Sequence, residues 1–445
     1  PERGFVAVPA VAGASLDVDA LADALAALAA TPTAADATLT FRTTAVEPDV
    51  TTREARAAAI SARWMSSSAL GLRGGDNEFE LAATTVAGLL TFGTQDGAFG
   101  PIVDEAALAA LLEPFAAQVL SEPTNAGFTW NANGIAAIVP GSPGRELNVS
   151  GSVAAVVDAL EGRAGGSLTP AAGLAINVTP PALTTEAAEA AAAKMGRLAT
   201  WTTYYQPGEG NYWGANISIP AQDINGLVLA PGEWFDFWDD IGEVSTARGY
   251  GYGGVILNGR SIPNGALAGG ICSTSTTLFN AAMRAGLEIG DRRNHSYYIE
   301  RYPVGLDATV FQTDTYEVNM TFRNDTADPV VIRSYTGTGY VRFDIWGVPD
   351  GRTVSLSAPI TSNHRTARET TVVNNNLAPG TSRRVEYPHN GFDSVVTRTV
   401  RAADGEVIWT NTWHSAYRTV NGITEVGPKP AAPPSTPAPT PTPAP

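Results

Sequence analysis

A repeated block sets the first constraint on the fold. The stretch VEPDVTTREARAAA (Val46 to Ala59) aligns without gaps to TPPALTTEAAEAAA (Thr179 to Ala192). Pro48 falls on Pro181, and the pair Thr51-Thr52 falls on Thr184-Thr185. A chain that repeats such a block is assembled from modules. Its 445 residues point the same way, because single hydrophobic cores stop growing at roughly 250–300 residues. Each copy follows a strand-like alternation, ATLTFRTT or AGLAINVT, and opens an Ala-rich helix for which Thr is a suitable N-cap. A second helical pattern lies upstream of each, at Leu16 to Ala30 and at Ser152 to Gly162. The expectation is two copies of one α+β module: a truncated copy over residues 1–64 and a full one over 65–197. The full copy gains strands around NEFELAATTVAGLLTF and AGFTWNANGIAAIVP and an amphipathic helix, Asp104 to Leu120.

Past Leu198 the texture changes. Aromatic residues and glycines become frequent in NYWGANISIP, APGEWFDFWDDIG and ARGYGYGG. A helix is expected from Thr276 to Leu287, with Leu278, Phe279, Ala282 and Met283 on its buried stripe and Gly286 at its end. Strands follow, so residues 198–347 read as a central α+β domain. Residues 348–427 read as an all-β module of closely spaced strands, with AADGEV as a hairpin turn. Residues 428–445 form a Pro/Thr/Ala tract that cannot bury a core, expected to be a disordered linker. The fold class is therefore α+β and multidomain.

A net charge of −16 excludes nucleic acid and anionic lipid as main partners. No apolar run reaches the roughly 18 residues that a membrane span needs. The chain opens on PERGFVAV without a signal peptide and reads as trimmed or processed, so membrane attachment is expected only through a segment absent from it.

The single cysteine, Cys272, stands in AGGICSTSTTLFN between a glycine turn and the helix. A lone thiol is most often a small buried hydrophobe. A nucleophilic thiol needs a depressed pKa, a base and donors for an oxyanion. The helix N-terminus favours a thiolate. The N–H groups there, at Cys272 or Ser273, would serve the oxyanion, while Gly269 and Gly270 leave room for a substrate backbone. Of the four histidines, His295 is the nearest downstream and is the candidate base, with Asp307 to orient it. Arg292, Arg293 and Arg301 lie in the same stretch as candidate carboxylate binders, with Asn294 and Tyr298 beside them. Each residue also has a plain structural explanation: a core histidine, a capping aspartate, a surface arginine, hydroxyls that cap a helix. The combination around the sole cysteine favours chemistry. No cysteine cluster or paired-histidine spacing supports a metal site, and no cofactor is expected.

The run PNGALAGGICSTSTTLFN, then NHSYY, then PVGLDATV resembles the VanW domain, as do NISIPAQDINGLVLAPGEWFDF upstream and TFRNDTADPVVIRSY downstream. The resemblance covers about residues 198–345. The N-terminal modules are similar to the peptidoglycan-binding modules that precede VanW domains, and the β-rich region is similar to a G5 module. The resemblance implies a bacterial envelope protein, anchored or secreted, acting on peptidoglycan. It further implies an L,D-transpeptidase-like acyl transfer on Cys272, with His295 and Asp307 at matching positions. The alternative is a peptidoglycan-binding scaffold with a degenerate central domain; a stalk that only spaces other parts from the wall would leave the Cys272 cluster unexplained. Three departures stand out: Ala268 replaces the usual first glycine, Ser273 replaces the Gln after the cysteine, and an Arg before the NI segment is missing.

Overall fold

The computed structural model describes residues 4–30, 38–131, 134–207, 212–257 and 260–428. Of the Pro-rich tract, residues 429–445 lie outside them. The chain divides into two compact units, one of residues 1–124 and 143–180, the other of 125–142 and 181–445.

The repeat is visible in the backbone of the first unit. Strand Gly13–Leu16, helix Val18–Ala29, strand Thr43–Val46 and helix Thr52–Met65 follow in order. Strand Gly144–Leu147, helix Val149–Ala164, strand Ile176–Thr179 and helix Thr185–Ala192 follow in the same order, the last helix falling in the second unit. The strands pair antiparallel at equivalent points: Gly13 opposite Val46, and Gly144 opposite Thr179. The helix starts are set by local chemistry. Thr51 caps through Glu54 in a capping box, and Thr184 accepts from the Ala187 N–H. The first unit's core gathers Met65, Leu70, Leu72, Leu108, Leu112, Val156 and Leu160. Arg163 is buried among them because its guanidinium donates to the carbonyls of Ser68, Ala69 and Thr169 at 2.9–3.0 Å.

The second unit is built on a four-stranded antiparallel sheet in the order Gly196–Tyr204, Tyr340–Gly347, Val330–Gly337, Val228–Leu229. Helix Cys272–Arg284 packs on this sheet and shares one core with it, including Leu278, Phe279, Met283, Phe343 and Ile345. The expected apolar stripe is buried, but the helix begins four residues earlier than its periodicity indicates, at the cysteine itself. The hairpin Gly127–Asn131/Gly134–Val139 also belongs to this unit, where Phe128 joins Leu183, Ala188, Ala230 and Val331.

The C-terminal region is all-β. Strands Thr353–Leu356, Gly391–Arg401, Ile360–Arg365 and Val407–Tyr417 form one sheet; Glu369–Val373, Gly422–Val426 and Ser382–Glu386 form another. The long pair turns at Ala402 to Glu406, where Gly405 sits at φ 90°. The first sheet is fastened to the central helix. Arg398 is fully buried and donates to the carbonyls of Met283 and Leu287 at 3.0 and 2.9 Å, satisfying the helix C-terminus. Trp413 meets Phe279 edge-on.

Candidate active site

The site is assembled from the cysteine helix and the segment Leu306 to Val310. The hydroxyl run after Cys272 is the fastener between them. Ser275 and Thr276 donate to the Ala308 carbonyl at 2.7 and 3.0 Å, and Thr276 accepts from the Ala308 N–H. Asn280 donates to the Leu306 carbonyl at 2.7 Å. These polar side chains are buried and paired, so each bond costs little to keep and much to lose. The reading of the run as simple helix caps is thereby corrected. Thr309 lands beside the cysteine as a result, its Oγ1 3.4 Å from Sγ, with the Val310 carbonyl also 3.4 Å from Sγ.

Asp307 lies in the same segment and accepts four hydrogen bonds. Oδ2 takes the His295 backbone N–H at 2.7 Å and the His295 Nδ1 at 2.6 Å. Oδ1 takes the Tyr417 hydroxyl at 2.6 Å and Arg292 Nη2 at 3.2 Å. Burial pushes this carboxyl up, but the bonds and charges of His295 and Arg292 outweigh it and hold its pKa below the usual range. With Nδ1 committed to Asp307, His295 has Nε2 left for the thiol. The ring stacks on Tyr302, centroids 5.4 Å apart.

Cysteine and histidine shift in opposite directions. Burial pushes the Cys272 thiol up, yet the hydrogen bond and charge of His295, with Thr309 and Val310, bring it down to about 7. Burial pushes His295 down, yet Asp307 and Cys272 raise it to about 9. Between about pH 7 and about pH 9 these shifts favour a thiolate–imidazolium pair at a helix start.

The loop before the cysteine is shaped by close backbone crossings. Gly270 has φ 105°, and a Cβ there would meet Trp213 at 2.9 Å. A Cβ on Gly269 would fall 2.3 Å from the Gly253 carbonyl carbon. The fully buried Asn216 ties both glycine segments together, donating to the carbonyls of Gly251 and Gly269 at 2.9 Å and accepting from the Gly251 N–H. Ala268 takes a left-handed φ of 57°, a conformation that costs an L-residue about 1–2 kcal/mol, which explains why the related pattern has glycine there.

The other expected site residues divide. The Ser273 N–H is spent on the Gly270 carbonyl at 3.0 Å, so it is not free for an oxyanion. The Ser273 Oγ pairs with the Tyr302 hydroxyl at 2.9 Å. Among the described residues the N–H groups of Gly270 and Cys272 make no hydrogen bond. Arg292 does not present itself to a ligand. Its side chain is 3% exposed and donates to Asp307, Gly305 and Ser415, which makes it a positioning residue for Asp307. Arg293 is exposed and reaches the Tyr316 hydroxyl. Asn294 donates to the carbonyls of His295 and Ala416, and the Tyr298 hydroxyl to that of Tyr302, so both brace the backbone. Arg301 stands beside Tyr302, donating to its hydroxyl at 3.1 Å. Asn216, Tyr302, Thr309 and Tyr417 were not expected. Thr309 had a signal in its place two residues after Asp307; Tyr417 had none.

Residues 213–346 match the model of a family described as VanW like protein. The central domain is VanW-like. The match takes in Cys272, His295 and Asp307. Residues 63–167 match a model described as "Putative peptidoglycan binding domain". "Uncharacterized protein YoaR" of Bacillus subtilis is 37% identical over 119 residues, which are 27% of this chain and 38% of that protein. "Vancomycin B-type resistance protein VanW" of Enterococcus faecalis is 29% identical over 118 residues, 25% of this chain and 40% of that one. The chain thus spans 38–40% of the length of the curated relatives it matches. Among solved structures, the IgA1 protease G5 domain aligns at 20% identity over 18% of this chain and 94% of its own, with a TM-score of 0.13. A cysteine-to-serine mutant of an Enterococcus faecium L,D-transpeptidase aligns at 12% identity over 28% of this chain and 46% of its own, with a TM-score of 0.19. At such scores the likeness is confined to parts, and no activity follows from it. Among the described residues no helix is long and apolar enough to cross a membrane, and no group of three or more His, Cys, Asp or Glu is placed to hold a metal ion.

Proposed function

We propose that this is a cell-envelope protein that acts on peptidoglycan through cysteine acyl transfer of L,D-transpeptidase type. The peptidoglycan-binding match over residues 63–167 and the VanW-like central domain support the substrate. The observation that carries the chemistry is the relay from Asp307 through His295, joined at 2.6 Å, to a thiol lowered to about 7.

The thiolate of Cys272 attacks the carbonyl of the diamino acid at the third position of a stem tetrapeptide. The N–H groups of Cys272 and Gly270 face the developing oxyanion. As the tetrahedral intermediate collapses, the carbon–nitrogen bond breaks and the His295 imidazolium gives its proton to the departing amine of D-alanine. A thioester remains. The side-chain amine of a second stem then attacks it, His295 takes the amine proton, and the thiolate leaves with a new 3–3 cross-link formed. Water in place of that amine gives net carboxypeptidase action. Asp307 keeps the imidazole oriented throughout and stabilises its charge whenever it carries the proton.

The test is intact-protein mass spectrometry of the chain after incubation with tetrapeptide muropeptides, with Cys272→Ala as control. The expected result is an acyl adduct on the native chain that is missing from the variant. Saturable muropeptide binding without an adduct would overturn acyl transfer and leave the protein as a peptidoglycan-binding scaffold.

A further inference from the structure

We propose that Arg301 is the carboxylate receptor of this site and restricts acyl donors to stems ending one residue past the attacked carbonyl, an assignment that rests on the acyl-transfer reading. Arg301 differs from its neighbours. Arg292 is consumed by Asp307, and Arg293 reaches out to Tyr316. Among the described residues Arg301 pairs with no carboxylate. Its Nε is buried without a hydrogen-bond partner, an arrangement that costs free energy unless something supplies the missing acceptor. Among the described residues its one hydrogen bond runs from Nη2 to the Tyr302 hydroxyl, leaving most of the guanidinium's N–H donors unpaired.

The surroundings tie that guanidinium to the residues that flank the nucleophile. The guanidinium lies 5.1 Å from the Trp213 ring centroid and 4.8 Å from that of Tyr302, a slot with two aromatic walls. Trp213 abuts Gly270, two residues before the nucleophile. Tyr302 links Arg301 to Ser273, one residue after it, through hydrogen bonds of 3.1 and 2.9 Å. Arg301 Nη2 thus lies no more than two hydrogen-bond lengths from the side chain next to the nucleophile, a span of the same order as one residue, roughly 3.3–3.6 Å, plus the bond from its carboxylate to the guanidinium. A planar fork accepts a carboxylate in two parallel bonds. The leaving D-alanine of a tetrapeptide carries such a group. An internal residue of a longer stem, or a terminal carboxamide, does not.

Binding is measured on the full-length chain carrying Cys272→Ser, so that it is read apart from acyl transfer. The probes are a synthetic stem tetrapeptide ending in D-alanine as the free acid and the same peptide as the C-terminal carboxamide. Calorimetric titration is expected to show the acid bound about 10- to 100-fold more tightly than the amide, the usual worth of a charge-assisted bond. Adding Arg301→Gln is expected to remove that preference while leaving the amide's affinity unchanged, which also verifies that the variant is folded. Arg301→Lys should restore part of it. Equal affinity of acid and amide, binding of neither, or a preference that survives Arg301→Gln overturns the assignment. Acylation of native Cys272 is scored separately by mass, so the acyl-transfer reading stands or falls on its own.

Discussion

The charge state of Cys272 can be tested without knowing any substrate. Burial alone would raise this thiol above its ordinary 9.0, but its interactions with His295 bring it to about 7. At neutral pH a thiol of pKa 7 is about half ionised and one of pKa 9 only about 1%, a roughly 50-fold difference in thiolate. The less basic thiolate is the weaker nucleophile, by about 6–10-fold across two pKa units at a Brønsted slope near 0.4–0.5. The net expectation is alkylation at pH 7 about 5–8-fold faster than at an equally accessible ordinary thiol. The assay is the rate of iodoacetamide labelling of the intact chain between pH 5 and 10, followed by mass. The rate should climb with a midpoint near 7. His295→Ala removes the hydrogen bond and the charge but leaves most of the burial, so its midpoint should move above 9 and its rate at pH 7 should fall at least about five-fold. A native midpoint at 9 or above, or one that His295→Ala does not move, would refute the ion-pair argument.

Four further outcomes follow from the same geometry. Acyl transfer should be bell-shaped in pH: it declines as pH falls through about 7, where the thiolate is protonated, and as pH rises through about 9, where His295 loses the proton needed by the leaving amine; initial rates across pH check this. Asp307→Asn should cost about 3–5 kcal/mol in denaturant titration, because Arg292 is left buried without its counter-charge. It should also raise the labelling midpoint of Cys272, since the imidazolium loses its anchor. Tyr417→Phe keeps the ring contacts with Tyr298 and Phe392 but deletes the bond to Asp307, a loss of about 1.5–3 kcal/mol in the same titration with unchanged circular dichroism.

What the sequence reveals of this molecule is what is local in it. Thr51 and Thr184 are readable as caps because a cap depends only on the next three residues. The repeat is readable because its two copies keep one strand–helix order and one pairing register. The thiol, its histidine and its aspartate are readable as a set through motif order. Tyr417 and Arg398 are not, because each acts across more than 100 residues of chain, and no periodicity encodes a partner that distant. The hydroxyl run is illegible for another reason: a side chain that caps a helix and one that grips a neighbouring strand have the same composition. Ser273 shows the consequence. Its N–H closes the turn onto Gly270 and its hydroxyl is held by Tyr302, so neither faces a substrate. With Ser there, the unpaired donors at this end of the helix, among the described residues, are the N–H groups of Cys272 and Gly270 and the guanidinium of Arg301. The substitution thus does not dismantle the thiol–imidazole–carboxylate relay. On the acyl-transfer reading, the substrate carboxylate is then left to Arg301, as proposed above.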